Sequence, residues 1–285
     1  MSPIKNVTVL GAGVLGSQIA YQAAFHGYTV TSYDVTADAV AKAGDRFAIL
    51  AGRYVADAVP DASDGHADAT AENIRRTTDL ADAVADADLV IEAAPENLTL
   101  KRDLYGRLAA VAPEKTIFAT NSSTLLPSDI KDATGRPDRF LALHYANNVW
   151  IANTAEIMGS PDTDPAVYDE VVRFAEGSGM VAIQLHKEQS GYILNSLLIP
   201  MLTAAVNLFV SGVADPATID KTWRTGTLAP IGPFQNFDII GLNTVYQLAS
   251  TNPDPAMAQW AEYIKVNYLD KGKLGVETGE GFYTY

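Results

Sequence analysis

Two groups of residues in this chain have types and spacings that can do chemistry. The first is Gly11-Ala12-Gly13-Val14-Leu15-Gly16, followed by Asp34. In the pattern GxGxxG, Gly11 permits a tight turn and Gly13 lets backbone approach a pyrophosphate with no side chain in the way. Gly16 lets the next helix pack close to the preceding strand. A helix opening there presents free N–H groups and the positive end of its dipole to phosphates, and Val14 and Leu15 of the same motif are expected to line the cofactor with the glycines. Asp34 lies 18 residues after Gly16, near the ~20-residue spacing at which an acid meets the adenosine ribose hydroxyls. Its charge would repel a 2′-phosphate, so the pattern predicts NAD(H) rather than NADP(H). Without its flanking elements, the same stretch reads as a glycine turn and a surface Asp.

The second group is dispersed. His144 ends the apolar run FLALH, and Glu156 lies twelve residues on in TAEIM. A carboxylate beside an imidazole fixes its tautomer and stabilises its cation, as a general acid/base requires. Taken singly, His144 reads equally as a satisfied core or rim histidine. Glu156 is an unusual strand residue that needs a partner if buried. Asn121-Ser122-Ser123-Thr124 follows the run TIFAT and is either a turn or cap or part of the same crevice. Asn195, inside GYILNSLLIP, is a buried Asn that must find a hydrogen bond, whether as packing between helices or at a site.

The elements that position these groups are legible in outline. Val7–Leu10 reads as a strand, Ser17–Phe25 as a helix and Tyr28–Tyr33 as a second strand closed by Asp34, giving one βαβ unit. Ala37 to about Arg76 is Ala-rich and helical, broken around Pro60–Gly65. Further strands are expected at Leu89–Ala93, Thr116–Thr120, Phe140–Tyr145, Thr154–Met158 and Met180–Leu185, with helices at Leu98–Ala112 and Pro165–Gly177. Beyond Lys187–Gly191 the pattern turns to long apolar helical runs, such as Tyr192–Ser211. The expected class is α/β: a Rossmann-type doubly wound sheet over residues 1–187, then an all-α domain over 188–285. In such a sheet the C-terminal ends of the strands face the ligand, which places both chemical groups on one edge.

Composition narrows the partners. The chain has 285 residues, 48% hydrophobic and 19% charged, with a net charge of −14, which disfavours nucleic acid. There is no Cys, so disulfides, thiolate metal sites and a cysteine nucleophile are excluded. The four histidines (His26, His66, His144 and His186) have no metal-ligand spacing, and no metal is expected. No apolar run is read as approaching the ~20 residues that span a bilayer, and no signal pattern opens the chain. A cytoplasmic protein acting on a small molecule, without a membrane partner, is the expectation.

Seven segments in order (GAGVLGSQIA, IEAAPENLTLK, ATNSSTLLPSDI, LALHYANN, AEIMG, GYILNSLL and PIGPFQNFDIIGL) resemble the L-3-hydroxyacyl-CoA dehydrogenase family over essentially the whole chain. The resemblance implies an NAD(H)-binding Rossmann domain, a helical C-terminal domain and a homodimer. It implies His144 as the catalytic acid/base and Glu156 as its orienting carboxylate, with Ser123 and Asn195 holding the substrate oxygen. Glu96 and Lys101 would lie near the nicotinamide ribose, and Asn121 and Ser122 beside the nicotinamide.

Two departures stand out. The family's HFFNP is His144-Tyr145-Ala146-Asn147-Asn148, with Trp150 close by. The insert after the second strand holds Lys42, Arg46 and Arg53 and then five acidic residues from Asp57 to Glu72 without a Lys or Arg, where CoA-using members are Lys-rich. Both resemble the bacterial diketoreductase-like branch. The implied activity is NADH-dependent reduction of β-keto, and possibly β,δ-diketo, acyl esters to (S)-3-hydroxy products. The alternatives are a true (3S)-hydroxyacyl-CoA dehydrogenase and a silent, crystallin-like NADH-binding protein. A β-hydroxyacid dehydrogenase is excluded because Gly191 stands where that family carries its catalytic Lys.

Overall fold

Residues 3–285 are described in a computed structural model. They form two compact units, dividing between Ile193 and Leu194. The first contains, in chain order, β1 (Asn6–Leu10), α1 (Val14–Phe25), β2 (Thr29–Tyr33), α2 (Ala37–Ala56), α3 (His66–Asn73), β3 (Arg75–Thr77), α4 (Leu80–Val84), β4 (Leu89–Glu92), α5 (Leu98–Val111), β5 (Ile117–Thr120), α6 (Pro127–Ile130), β6 (Phe140–Tyr145), β7 (Thr154–Gly159), α7 (Pro165–Gly177) and β8 (Val181–Leu185). The strands make one sheet in the order β3-β2-β1-β4-β5-β6-β7-β8. The first six positions are the doubly wound arrangement, with the order reversing between β1 and β4. All pairs are parallel except β6 with β7.

Burial on both faces explains the continuous apolar strands. On β4, Leu89 and Ile91 enter one core with Val7, Val9, Ile19, Phe47 and Leu143. Val90 points the other way, among Leu10, Tyr105, Leu108 and Phe118. The period-2 alternation of a strand assigns these faces.

Several details depart from the sequence reading. β3, Arg-Arg-Thr, was not expected within the helical stretch 37–76. It has no apolar alternation and exists through its pairing with Thr31–Tyr33. The break in that stretch runs from the end of α2 to Gly65, with left-handed backbone at Ala58, Asp61, Asp64 and Gly65. α1 starts at Val14 rather than Ser17. The division at Ile193 lies beyond the expected 187/188 boundary because the segment after β8 is tied back: Glu188 accepts from Ser128 N at 2.7 Å, and Gly191 N donates to Ser123 O at 3.1 Å.

The second unit carries most of α8 (Tyr192–Val210), then α9 (Pro216–Thr227), α10 (Pro233–Ile240), α11 (Leu242–Ser250) and α12 (Pro255–Asn267). α8 corrects the expectation about apolar runs. Its 19 residues, with a mean hydropathy of 1.9, are long and apolar enough to cross a membrane by length and composition. Trp260, Phe234, Phe237, Leu242 and Ile264 form the core of this unit. Two buried carboxylates organise its end. Asp220 accepts from Phe234 N and Gln235 N at the start of α10 and from the Tyr283 hydroxyl. Asp238 accepts from Phe282 N, Tyr283 N and the Tyr285 hydroxyl. Burial, reinforced by the charge of Asp220, pushes the Asp238 carboxyl up.

Candidate active site

The glycine loop joins β1 to α1 at the reversal of strand order. Gly11 has φ +100°, and a Cβ there would lie 2.5 Å from the Ala93 carbonyl oxygen. A Cβ at Gly16 would lie 1.8 Å from the Gly11 carbonyl oxygen, so both positions require glycine. Gly13 differs: a Cβ would meet nothing within 4 Å. It caps α1 without a side-chain hydrogen bond, so no capping side chain takes the first N–H groups of the helix, which a pyrophosphate needs. Val14 is exposed and Leu15 half-buried beside it.

Asp34 follows β2. Its Oδ2 accepts from Ala12 N at 2.8 Å and its Oδ1 from Val35 N at 2.7 Å. Both oxygens keep lone pairs for ribose hydroxyls. The residues present fit NAD(H). Arg46 of α2, which the sequence reading did not place here, donates to the Ala12 carbonyl at 3.0 Å.

The second group assembles at the C-terminal ends of β5 and β6. His144 and Glu156 face each other across the antiparallel β6–β7 pair. Nδ1 of His144 donates to Oε2 of Glu156 at 3.1 Å, and Nε2 lies 3.1 Å from Oγ of Ser123. With Nδ1–H committed to the carboxylate, a neutral His144 accepts from the Ser123 hydroxyl at Nε2. His144 and Glu156 are buried, at 5% and 3% exposure. The other oxygen of Glu156 accepts from Ile193 N at 2.9 Å.

The loop carrying Ser123 is fastened from below. Oδ1 of Asn121 accepts from Tyr145 N at 2.8 Å. Ser122 Oγ donates to Glu96 at 2.5 Å, and Thr124 gives the same oxygen both its N–H and its hydroxyl. Burial raises the Glu96 carboxyl, but the hydrogen bonds from Ser122 and Thr124 and the charge of Lys101 outweigh it and hold it below the usual range. Lys101 is itself buried. Its Nζ bonds Glu92 at 2.5 Å and the Ala94 carbonyl at 3.2 Å, and lies 3.6 Å from Glu96. Glu92 also accepts from Thr120 at 2.8 Å. Asn121, Ser122 and Lys101 thus brace the loop, and Glu96, partly exposed, is the acid nearest the surface.

Glu92 and Tyr192 were not foreseen. The one sequence signal for Glu92 is an acid closing the buried run LVIE with a Lys nine residues on. Asn195 lies on α8 in the second unit, half-buried rather than buried.

The HFFNP departure has a structural reason. Asn148 has φ +62°, which proline, locked near −65°, cannot adopt. The loop is held by Asn148 N donating to Gln18 Oε1 at 2.7 Å and Trp150 Nε1 donating to Asp57 Oδ2 at 2.7 Å.

Residues 6–189 match the model of the 3-hydroxyacyl-CoA dehydrogenase NAD-binding domain, and residues 191–285 that of the family's C-terminal domain. The chain belongs to the 3-hydroxyacyl-CoA dehydrogenase family. It is 36% identical to the mitochondrial hydroxyacyl-coenzyme A dehydrogenase of Rattus norvegicus, over 99% of this chain and 91% of that protein. It is 31% identical to 3-hydroxybutyryl-CoA dehydrogenase of Bradyrhizobium diazoefficiens, over 99% and 96%. Among solved structures, a diketoreductase described as acting on dicarbonyl compounds is 60% identical, with a TM-score of 0.95 and full coverage of both chains. The (S)-3-hydroxybutyryl-CoA dehydrogenase of Ralstonia eutropha is 29% identical, with a TM-score of 0.80 and 99% coverage of both. As a member of this family the protein is an NAD-dependent oxidoreductase acting on CH–OH groups. The glycine loop and Asp34 form its candidate cofactor site, and Ser123, His144 and Glu156 its candidate catalytic group.

Proposed function

We propose that this dehydrogenase reduces β-keto and β,δ-diketo acyl esters to (S)-3-hydroxy products with NADH, and reverses the reaction with NAD+. The observation that carries the chemistry is the continuous chain Ser123–His144–Glu156 at the C-terminal edge of the sheet. When bound, NADH supplies hydride to the carbonyl carbon. Negative charge then develops on the carbonyl oxygen. Ser123 Oγ donates a hydrogen bond to that oxygen, and protonated His144 delivers its Nε2 proton to it. Glu156 holds Nδ1–H and stabilises the imidazolium until the proton leaves. Such proton delivery contributes typically ~10²–10⁴-fold and a placed oxyanion donor ~10²–10³-fold. In the oxidation direction His144 takes the proton back. Asn195 is assigned to the same oxygen by the family pattern.

The preference for simple esters over CoA rests on the helical insert. CoA carries about four negative charges, which an acidic surface repels. Lys42 of α2 is paired with Asp38 at 2.7 Å, Arg46 is turned to the glycine loop, and the chain continues into the acidic run 57–72. The second reading, a true (3S)-hydroxyacyl-CoA dehydrogenase, is favoured by the names of the curated relatives. NADH oxidation measured with acetoacetyl-CoA, ethyl acetoacetate and a β,δ-diketo ester separates the two. Comparable or higher kcat/KM for the esters supports the first; an advantage of orders of magnitude for the thioester establishes the second. Turnover of none of them would leave the silent NADH-binding reading.

The same proposal includes a homodimer. Leu197 and Leu208 share one face of α8 and are exposed, at 70% and 43%, and a second copy would cover such a face. Light scattering after size exclusion reads the mass directly: twice 30.4 kDa supports the dimer, and a monomer overturns it.

A further inference from the structure

Three consecutive residues just after the sheet domain's last strand touch all three members of the candidate catalytic group. Gly191 N donates to the Ser123 carbonyl at 3.1 Å, and Ile193 N donates to Glu156 Oε1 at 2.9 Å. Between them, the Tyr192 ring lies flat on the His144 imidazole, with centroids 4.4 Å apart and planes 9° from parallel. The Tyr192 hydroxyl donates to the Ser122 carbonyl at 2.8 Å.

The backbone is bent to achieve this. Gly191 has φ +80° and Tyr192 φ +52°, a left-handed conformation that an aromatic residue adopts only when its surroundings impose it. The ring is 1% exposed and packs with Ala142, Met158, Leu126 and Leu185.

We propose that Tyr192 is a positioning residue for the reaction: its ring holds the imidazole in the one plane where Nδ1 meets Glu156 and Nε2 meets Ser123, and its π face stabilises the imidazolium. This rests on the acid/base role of His144 proposed above. Two hydrogen bonds at opposite nitrogens leave the imidazole free to rock about the line joining them, and a parallel ring on its face removes that freedom. A cation over an aromatic face is attracted by the ring quadrupole. The groups around the pair are Glu156 on β7, Ser123 after β5, and Glu92 and Glu96 near the Tyr192 hydroxyl. Burial, and then the charges of Glu96, Glu156 and Glu92, push the phenol far up, so it stays neutral and keeps donating to Ser122.

The test compares Tyr192→Phe and Tyr192→Leu, with His144→Gln as a control, using ethyl acetoacetate for turnover and fluorescence for NADH affinity. Tyr192→Leu is expected to lose about 10- to 100-fold in kcat with NADH Kd within about twofold. The alkaline fall of its kcat–pH profile moves to lower pH by about half a unit, since the acid form loses its π partner. Tyr192→Phe keeps the ring and is expected to retain the wild-type profile and at least a third of kcat. A Leu variant with wild-type kcat and profile overturns the proposal. So does a Phe variant as impaired as Leu, which would assign the effect to the hydroxyl. Should the Leu variant fail to fold, histidine NMR of the wild-type protein decides, with the His144 signal assigned by its loss in His144→Gln. A ring-current upfield shift of its Cε1 proton supports the stack, and an unshifted signal overturns it. Activity retained in His144→Gln would instead refute the acid/base reading and leave the stack itself measurable.

Discussion

His144 and Glu156 are directly opposed on antiparallel strands, the one antiparallel pair of this sheet among the described residues, with Nδ1 and Oε2 3.1 Å apart. That reversal brings the two together. Opposed residues on neighbouring strands have Cβ atoms ~4.5–5.5 Å apart, so the register itself delivers the carboxylate to the imidazole. His144→Gln is expected to lower kcat by about 10²–10⁴-fold and leave NADH binding intact. Glu156→Gln should fall short of that loss, since the amide still accepts from Nδ1 but no longer stabilises the cation. Steady-state kinetics with fluorescence titration of NADH checks both; a near-normal His144→Gln removes the assignment.

Asp34 holds the glycine loop through Ala12 N and keeps lone pairs for the ribose. Asp34→Ala is expected to raise the KM for NADH and to narrow the preference over NADPH, because the charge that repels a 2′-phosphate is gone. An unchanged ratio of kcat/KM for the two cofactors would count against the ribose role.

Glu92 and Lys101 form an ion pair with both side chains almost wholly buried. Removing one partner strands the other charge, at a cost of about 3–5 kcal/mol. Lys101→Met should therefore lower the denaturation midpoint sharply. The double variant Glu92→Gln/Lys101→Met should recover most of that loss, because the stranded charge is removed. Additive losses in urea unfolding would show that the pair is not coupled.

Asp88 precedes β4 and accepts from Lys5 N, Asn6 N and Lys115. Burial raises its carboxyl, but these bonds and the Lys115 charge outweigh it and set it below the usual value. A folded-state value below the unfolded one contributes stability that is complete above the unfolded pKa and is lost as pH falls through the folded one. Asp88→Asn is expected to be less stable than wild type by about 1–2 kcal/mol at pH 7. The gap should begin to close as pH drops below the ordinary Asp carboxyl value of 3.8. A gap that does not change down to pH 2 contradicts this reading.

Much of this protein was set locally. The strand–glycine–helix–strand–Asp order needs only chain neighbours, because Gly11 and Gly16 are dictated by backbone contacts within one βαβ unit and to the adjoining strand. The apolar strands were likewise readable, since burial on two faces leaves a continuous apolar run in any single strand. β3 was not, because Arg-Arg-Thr carries no pattern and depends on a neighbour 44 residues earlier, Thr31 beside Arg75. The candidate site divides the same way. His144, Glu156 and Ser123 were visible as residue types at strand ends, yet each alone was compatible with a core histidine, an isolated acid or a turn. The resemblance linked them, and the antiparallel register and the loop after β5 bring them within hydrogen-bond distance. Glu92 beneath Lys101, and Tyr192 on the imidazole, were decided wholly by tertiary structure. A buried charge pair and a ring stack are defined by distances between segments far apart in the chain, and no periodicity within either segment encodes them.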